Sequence, residues 1–245
     1  MIKLKIAKHV PDNVSAHVLF FVKKSIQFSS VLTEEGEIQA SRTLADIENG
    51  ICTDLEIVEI DGHRTIFVDA AKERGLSDLD RLRMAGYRLG KRAEQKQFKT
   101  VKILLADAAD EQFRAILHGL HYSAYRFEKY KSNPKKSFEV TFEIEAGERA
   151  KDFEKIAEIV ESEQKYTNLC KDLVNTPGSK LYPDAFAHSA IRVAHQVPGL
   201  SITILNSKIL AREGFNGLLT VGAGSRFEPC MVKLSYNPKN AAKDR

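Results

Sequence analysis

The stretch DLVNTPGSKLYPDAFA (172–187), followed after a short interval by GFNGLLTVGAGSRFEPCMVKLSY (214–236), decides how this chain divides. Just upstream, Phe153, Ile156, Ala157 and Val160 recur at i, i+3, i+4 and i+7, while Lys151, Glu154, Lys155, Glu158 and Glu161 hold the other faces. That is the pattern of a long amphipathic helix. Pro177-Gly178 ends it, because proline has no N–H for the helical ladder and pushes Thr176 toward extended geometry. Pro183 then suits the first turn of a new helix, with a buried face of Phe186, Ala190, Val193, Ala194 and Val197 and a stop at Pro198-Gly199. Beyond it SITILN (201–206) reads as a strand, and Ser207 caps a short helix closed by Gly214. LLTV (218–221) reads as another strand, 222–225 as a tight loop and CMVKLSY (230–236) as a third extended run. Strand, helix and strand on short connections predict the opening of a parallel sheet.

Outward toward the N-terminus the same reasoning gives a separate α/β unit. LKIA (4–7) and AHVLFFV (16–22) are extended, a helix follows around 37–47, and LEIVEI (55–60) and RTIFVDA (64–70) flank Asp61-Gly62. Asp-Gly between two such runs signals a hairpin. Ser77 or Asp78 caps a helix to about Gln97, with Leu79, Leu82, Gly86, Leu89 and Ala93 at helical spacing. VKILLAD (101–107) is a buried strand, Asp110 caps a helix through Phe113, Ile116, Leu117 and Leu120, and 138–144 alternates like a closing strand. The expected domains are an N-terminal α/β domain at 1–148, a linking helix at 149–174 and the start of a second α/β domain at 175–245.

Composition narrows the class. A chain of 245 residues with 43% hydrophobic and 29% charged side chains fits a globular protein of one domain and part of another. No apolar run approaches the ~20 residues that span a bilayer, and the start MIKLKIAKHV alternates like a strand, which predicts a cytoplasmic protein with no membrane partner. Cys52, Cys170 and Cys230 form no CxxC pair, so they are expected as small buried hydrophobes. A net charge of +4 is too mild to imply nucleic acid by itself.

The segments 172–187 and 214–236, preceded in the right order by GLHYSAYRFEKYKS (119–132), resemble the leucyl aminopeptidase (cytosol aminopeptidase) family. The resemblance implies a macro-like N-terminal α/β domain, a linking helix and the first strands and helices of an α/β catalytic domain. It implies a hydrolase that releases N-terminal residues from peptides using two divalent cations, zinc or manganese, and that assembles as a hexamer. In the family the metal-binding residues lie beyond the strand corresponding to 231–236, and here NPKNAAKDR follows instead. The expectation is therefore an incomplete, truncated or split metallopeptidase. It has no catalytic, cofactor-binding or metal-binding residue of its own, is inactive alone, and is capable of self-association or of receiving a catalytic half in trans. The alternative is a non-catalytic interaction or DNA-binding protein derived from the N-terminal domain.

Four features invite sharper readings. His118 and His121 sit one helical turn apart, but two imidazoles without a carboxylate make a poor metal site. VGAGS (221–225) has glycines that could cradle a phosphate, yet it lacks the dinucleotide and Walker spacings, and a tight turn is expected. Arg81, Arg88, Arg92, Lys96 and Lys99 along one helix, with Arg126, Lys129, Lys131, Lys135 and Lys136, could contact DNA. With Tyr87 the only interleaved aromatic, a solvated face is expected. No glycine-rich loop in 1–146 can receive the diphosphate of ADP-ribose, so the macro-like domain is not expected to bind it.

Overall fold

A computed structural model of the chain describes residues 2–22, 25–27, 32–73, 75–134 and 138–238. The chain forms two compact units, Met1–Asn168 and Leu169–Arg245.

The first unit is built on a sheet of β1 (Ile2–Ala7), β2 (Ala16–Val22), β3 (Ser25–Gln27), β4 (Ile57–Ile60), β5 (His63–Asp69), β6 (Thr100–Leu104) and β7 (Val140–Glu145). The strand order is β1-β7-β6-β2-β5-β4, with β3 pairing the end of β2; the β4–β5 and β2–β3 pairs are antiparallel and the rest parallel. β7 thus lies between β1 and β6. β2 is apolar from Val18 to Val22 because both its faces are covered there. Val18 and Phe20 join Ile66, Val68, Val101, Ile103, Phe142 and Ile144 on one face, and Leu19 and Phe21 join Ile60 and Phe67 on the other. Asp61 and Gly62 both have left-handed φ (51° and 75°), which gives the β4–β5 hairpin its turn.

On the first face lie α2 (Asp78–Gln95) and α3 (Asp110–Ala124), with the first part of α4 (Ala150–Asn175). α2 starts at Ser77, whose hydroxyl accepts from the Asp80 N–H. The cap expected at Asp110 falls instead on Ala109, whose N–H donates to Gln112 Oε1 at 2.9 Å; Asp110 is the first helical residue. Leu82, Ala85, Leu89 and Ala93 of α2 meet Ile116, Leu117 and Leu120 of α3, and the Phe113 and Phe153 rings stack 3.9 Å apart. The backbones of α2 and α3 nearly touch where glycines stand. A Cβ at Gly119 would lie 1.9 Å from the Arg83 carbonyl oxygen, and one at Gly86 would lie 2.4 Å from that of Ile116. The second face carries α1 (Glu34–Glu48), which buries Ala40 and Leu44. Its N-terminus is fixed by Asp61, whose carboxylate accepts from the Thr33 N–H at 3.0 Å and from the Thr33 hydroxyl.

The second unit contains the end of α4, then α5 (Pro183–Gln196), β8 (Leu200–Leu205), α6 (Ser207–Arg212), α7 (Asn216–Gly222) and β9 (Met231–Tyr236). Several expectations are corrected here. LLTV is not a strand but the body of α7; a four-residue apolar run has no period that separates strand from helix. β9 pairs antiparallel with β8, starting with Met231 opposite Leu205, so the pair forms no parallel sheet. α6 is capped by Asn206, whose side chain accepts from the Ile209 N–H, rather than by Ser207. α5 does start at Pro183, but Phe186 is 45% exposed, and the buried positions are Ala187, Ser189 and Ala194. Tyr182 caps α5 without a side-chain bond, its ring stacking on Phe227 instead at 4.3 Å. Cys170 is exposed rather than buried, while Cys52 and Cys230 are half-buried.

Substituting Gly119→Ala drives a methyl group into backbone atoms that cannot move aside. The expected result in urea titration is a loss of about 3 kcal/mol or more, at the upper end of overpacking costs, whereas Gly224→Ala, where a Cβ meets open space, changes stability little.

Candidate functional site

A polar recess of about 390 Å³ opens on the second sheet face of the first unit. β2, β5 and β6 place His17, Thr65 and Lys102 side by side in register, and His63 stands two residues before Thr65 on the same face. The His17 and His63 rings stack with centroids 4.5 Å apart. Asp12 comes from the β1–β2 loop, and Glu145 from the end of β7.

The Lys102 ammonium has all three of its N–H bonds engaged. It donates to the Val10 carbonyl at 2.8 Å and Asp12 Oδ1 at 2.8 Å, and it pairs with Glu145 Oε2 at 3.0 Å. Burial opposes its charge, but the bonds to Asp12 and Glu145 outweigh burial and raise its pKa. Glu145 also accepts from the Val10 N–H at 2.9 Å, so one lysine and one carboxylate stitch the β1–β2 loop to β6 and β7. Burial, then the neighbouring His63, lowers the pKa of His17. The two hydroxyls in the recess are committed, that of Thr33 to Asp61 and that of Thr65 to the His63 carbonyl. The recess therefore offers two stacked imidazoles and a saturated ion cluster, and no activated nucleophile.

The histidine pair of α3 serves packing rather than a cation. His118 Nε2 lies 3.1 Å from Glu163 Oε2 on α4, and the pKa of His118 is lowered by burial against the pull of Glu163. His121 is pushed down to about 4 by burial and by His118, and its Nε2 is buried without a partner. Among the described residues no three His, Cys, Asp or Glu side chains converge on a point that could hold a metal ion. The described residues do not fit a two-cation centre.

VGAGS forms the end of α7 and a turn in which the Ser225 N–H donates to the Gly222 carbonyl at 3.0 Å. A Cβ at Gly222 would lie 2.8 Å from Cγ of Pro229, so this glycine admits a close-packed proline ring.

The basic stripe on α2 is not a simple solvated face, for its arginines are tied down. Arg88 grips Glu73 at 2.8 and 2.9 Å and the Asp69 carbonyl, Arg81 bonds the Glu73 carbonyl at 2.9 Å, and Arg92 bonds the Leu55 carbonyl at 3.1 Å. Arg126 pairs with Glu94, Lys131 with Glu128 at 3.0 Å, and Lys129 lies over the Tyr130 ring. Lys135 and Lys136 lie outside the described residues. His17, His63 and Lys102 were missed by sequence reading. The one signal was a lysine inside the apolar run VKILLAD.

The fold is thus a mixed, mostly parallel sheet with helices on both faces, then a long helix and a second, smaller α/β unit. Residues 168–245 match the sequence model of the cytosol aminopeptidase family, catalytic domain. A probable cytosol aminopeptidase of Corynebacterium diphtheriae is 29% identical over 250 residues, covering 98% of this chain and 49% of that protein. Among solved structures, a tomato leucine aminopeptidase mutant superposes with a TM-score of 0.75 at 14% identity over 98% of this chain and 51% of its own. The bottromycin maturation enzyme BotP gives 0.66 at 22% identity over 92% and 46%. The chain is thus similar to cytosol and leucine aminopeptidases along nearly its whole length, and it spans about half the length of the curated relative it matches. Among the described residues, no helix is long and apolar enough to cross a membrane.

Two outcomes test this geometry. Lys102→Met removes the partner of Asp12, Glu145 and the Val10 carbonyl at once, with an expected loss of about 2 kcal/mol in chemical denaturation. For His121, a folded pKa of about 4 lies below the unfolded value near 6.5, so the unfolded chain binds more protons between those limits. The associated stability is whole above pH ~6.5 and disappears as pH falls toward 4, amounting to about 3 kcal/mol. Denaturation curves of His121→Phe should lose that part of the acid sensitivity.

Proposed function

We propose that residues 1–245 make up the N-terminal part of a leucyl aminopeptidase-type metallopeptidase. In this reading the N-terminal α/β domain occupies 1–148, a linking helix 149–174 and the opening of the catalytic domain 175–245. The observation that carries it is the match of 168–245 to the family's catalytic domain, continuous with a relative that aligns over 98% of the chain. The complete enzyme would act in the cytoplasm, removing N-terminal residues from peptides with two divalent cations, zinc or manganese, and would assemble as a hexamer.

Two-metal amide hydrolysis needs a carboxylate-rich cage that makes a bridging water acidic and polarises the carbonyl. The described residues provide no such group of donors, so residues 1–245 are proposed to be inactive by themselves. The second unit has the character of a surface that requires cover: Val221 is 87% exposed and Tyr236 60%, and Phe215, Leu218 and Leu234 are also exposed. These apolar groups support a partner, either another copy of the chain or the remaining part of the catalytic domain, supplied in cis or in trans. The pairing of Arg81, Arg88 and Arg126 with carboxylates gives the DNA-binding alternative little support.

Hydrolysis of leucine p-nitroanilide, with manganese or zinc added, is the direct assay. Purified residues 1–245 should release no nitroaniline, and cleavage that depends on added manganese in a protease-free preparation would overturn the reading.

A further inference from the structure

We infer that a basin in the first unit, at the end of the sheet where β2, β5 and β6 begin, binds a compact polyanion of phosphate chemistry. The basin has a volume of about 510 Å³. Its rim is formed by Ser15, His63, Arg64, Lys96, Gln97 and Lys99, and no acidic residue lines it.

Its charge is uncompensated. Arg64, Lys96 and Lys99 are exposed, and among the described residues none of them makes an ion pair or a side-chain hydrogen bond. Glu59 lies opposite Arg64 in the hairpin register, yet the two form no ion pair. Lys96 caps the carbonyl end of α2, where a cation is favoured, so one of the three charges has a structural explanation. Arg64 and Lys99 come from other elements and have none. The arginines named along α2, by contrast, are each bonded to a carboxylate, a carbonyl or a side-chain amide.

A second observation points the same way. Gln97 follows the C-cap of α2 with a φ of +54°, a left-handed conformation that glycine usually fills. The turn is closed by Gln97 N–H to the Glu94 carbonyl at 3.1 Å and Phe98 N–H to the Ala93 carbonyl at 3.0 Å. Among the described residues the other two non-glycine positions with positive φ have local reasons: the Asp61 carboxylate holds Thr33, and Leu55 packs on the core and bonds Phe67 and Arg92 through its backbone. The Gln97 side chain has no described partner and lines the basin. The left-handed turn that ends α2 leaves the Gln97 carboxamide exposed at the rim of the basin.

The chemistry selects the ligand. A guanidinium fork, two ammonium groups and a carboxamide N–H present donors to an anion with several oxygens and more than one charge. Inorganic tripolyphosphate, or the phosphate chain of a small molecule, satisfies them; a single carboxylate leaves charge uncompensated. A long nucleic-acid backbone would need the cationic track to continue, but Arg88 and Arg126 beyond the basin are taken by Glu73 and Glu94.

Calorimetric titration of the whole chain with sodium tripolyphosphate at low ionic strength tests this. Saturable binding is expected, weakened about tenfold by Arg64→Ala and again by Lys99→Ala, and unchanged by Lys131→Ala, which lies elsewhere. Circular dichroism checks that the variants fold. Gln97→Gly should raise the thermal midpoint while weakening binding, a split that a purely structural glutamine would not produce. The inference fails if the wild type binds no tripolyphosphate, if Arg64→Ala and Lys99→Ala bind as the wild type does, or if Gln97→Gly leaves affinity unaltered. It also fails if a short DNA duplex binds at the basin more tightly than tripolyphosphate.

Discussion

The near-contact of α2 and α3 is the constraint on which the first unit rests. A parallel sheet must have its apolar face covered, and here one face is closed by two helices whose backbones meet at Gly86 and Gly119. That approach lets Leu82, Leu89, Ile116 and Leu120 reach the sheet together and leaves no gap between the helices. It also fixes the end of α2, and with it the turn at 96–99 that returns the chain to β6. The basin lies beside that turn, with Lys96, Gln97 and Lys99 on its rim.

Charged side chains in this unit act mostly as cross-links. Lys102 joins a loop to two strands, Arg88 joins α2 to the segment around Glu73 and Asp69, and Arg149 joins the start of α4 to Ala108 and Asp110. Each guanidinium or ammonium that donates to carbonyls and carboxylates loses its freedom to meet a ligand. In the recess around His17 and His63 the lysine and both hydroxyls are answered in this way, and His17 Nε2 is left buried without a hydrogen-bond partner. The second unit poses the opposite problem: its strands and helices are well formed, but little of their apolar surface is covered.

Legibility followed the range of the interaction. The hairpin at Asp61-Gly62, the cap at Ser77, the break at Pro177-Gly178 and the helix start at Pro183 depend on neighbours in sequence, and each stands where local chemistry put it. LLTV misled because four apolar residues fit a strand or a helix equally, and the direction of β9 because pairing depends on how the chain returns through α6 and α7. The caps read at Asp110 and Ser207 were displaced by one residue, since a helix selects whichever neighbour has extended backbone geometry. The face assigned to α5 failed at Phe186, whose burial needs a partner that periodicity cannot supply.

The amino-acid order alone determined most of the strands and helices of the first unit, though not β3, and the likeness to aminopeptidases, because these rest on local backbone preferences and on short contiguous motifs. Only the tertiary structure decided which charges are silent and which are free. Arg64 and Lys99 lie 35 positions apart, and Lys102 and Glu145 lie 43 apart. Electrostatic neutralisation acts through space at a few ångströms, so the meaning of each charge was set by the neighbours that folding brought to it.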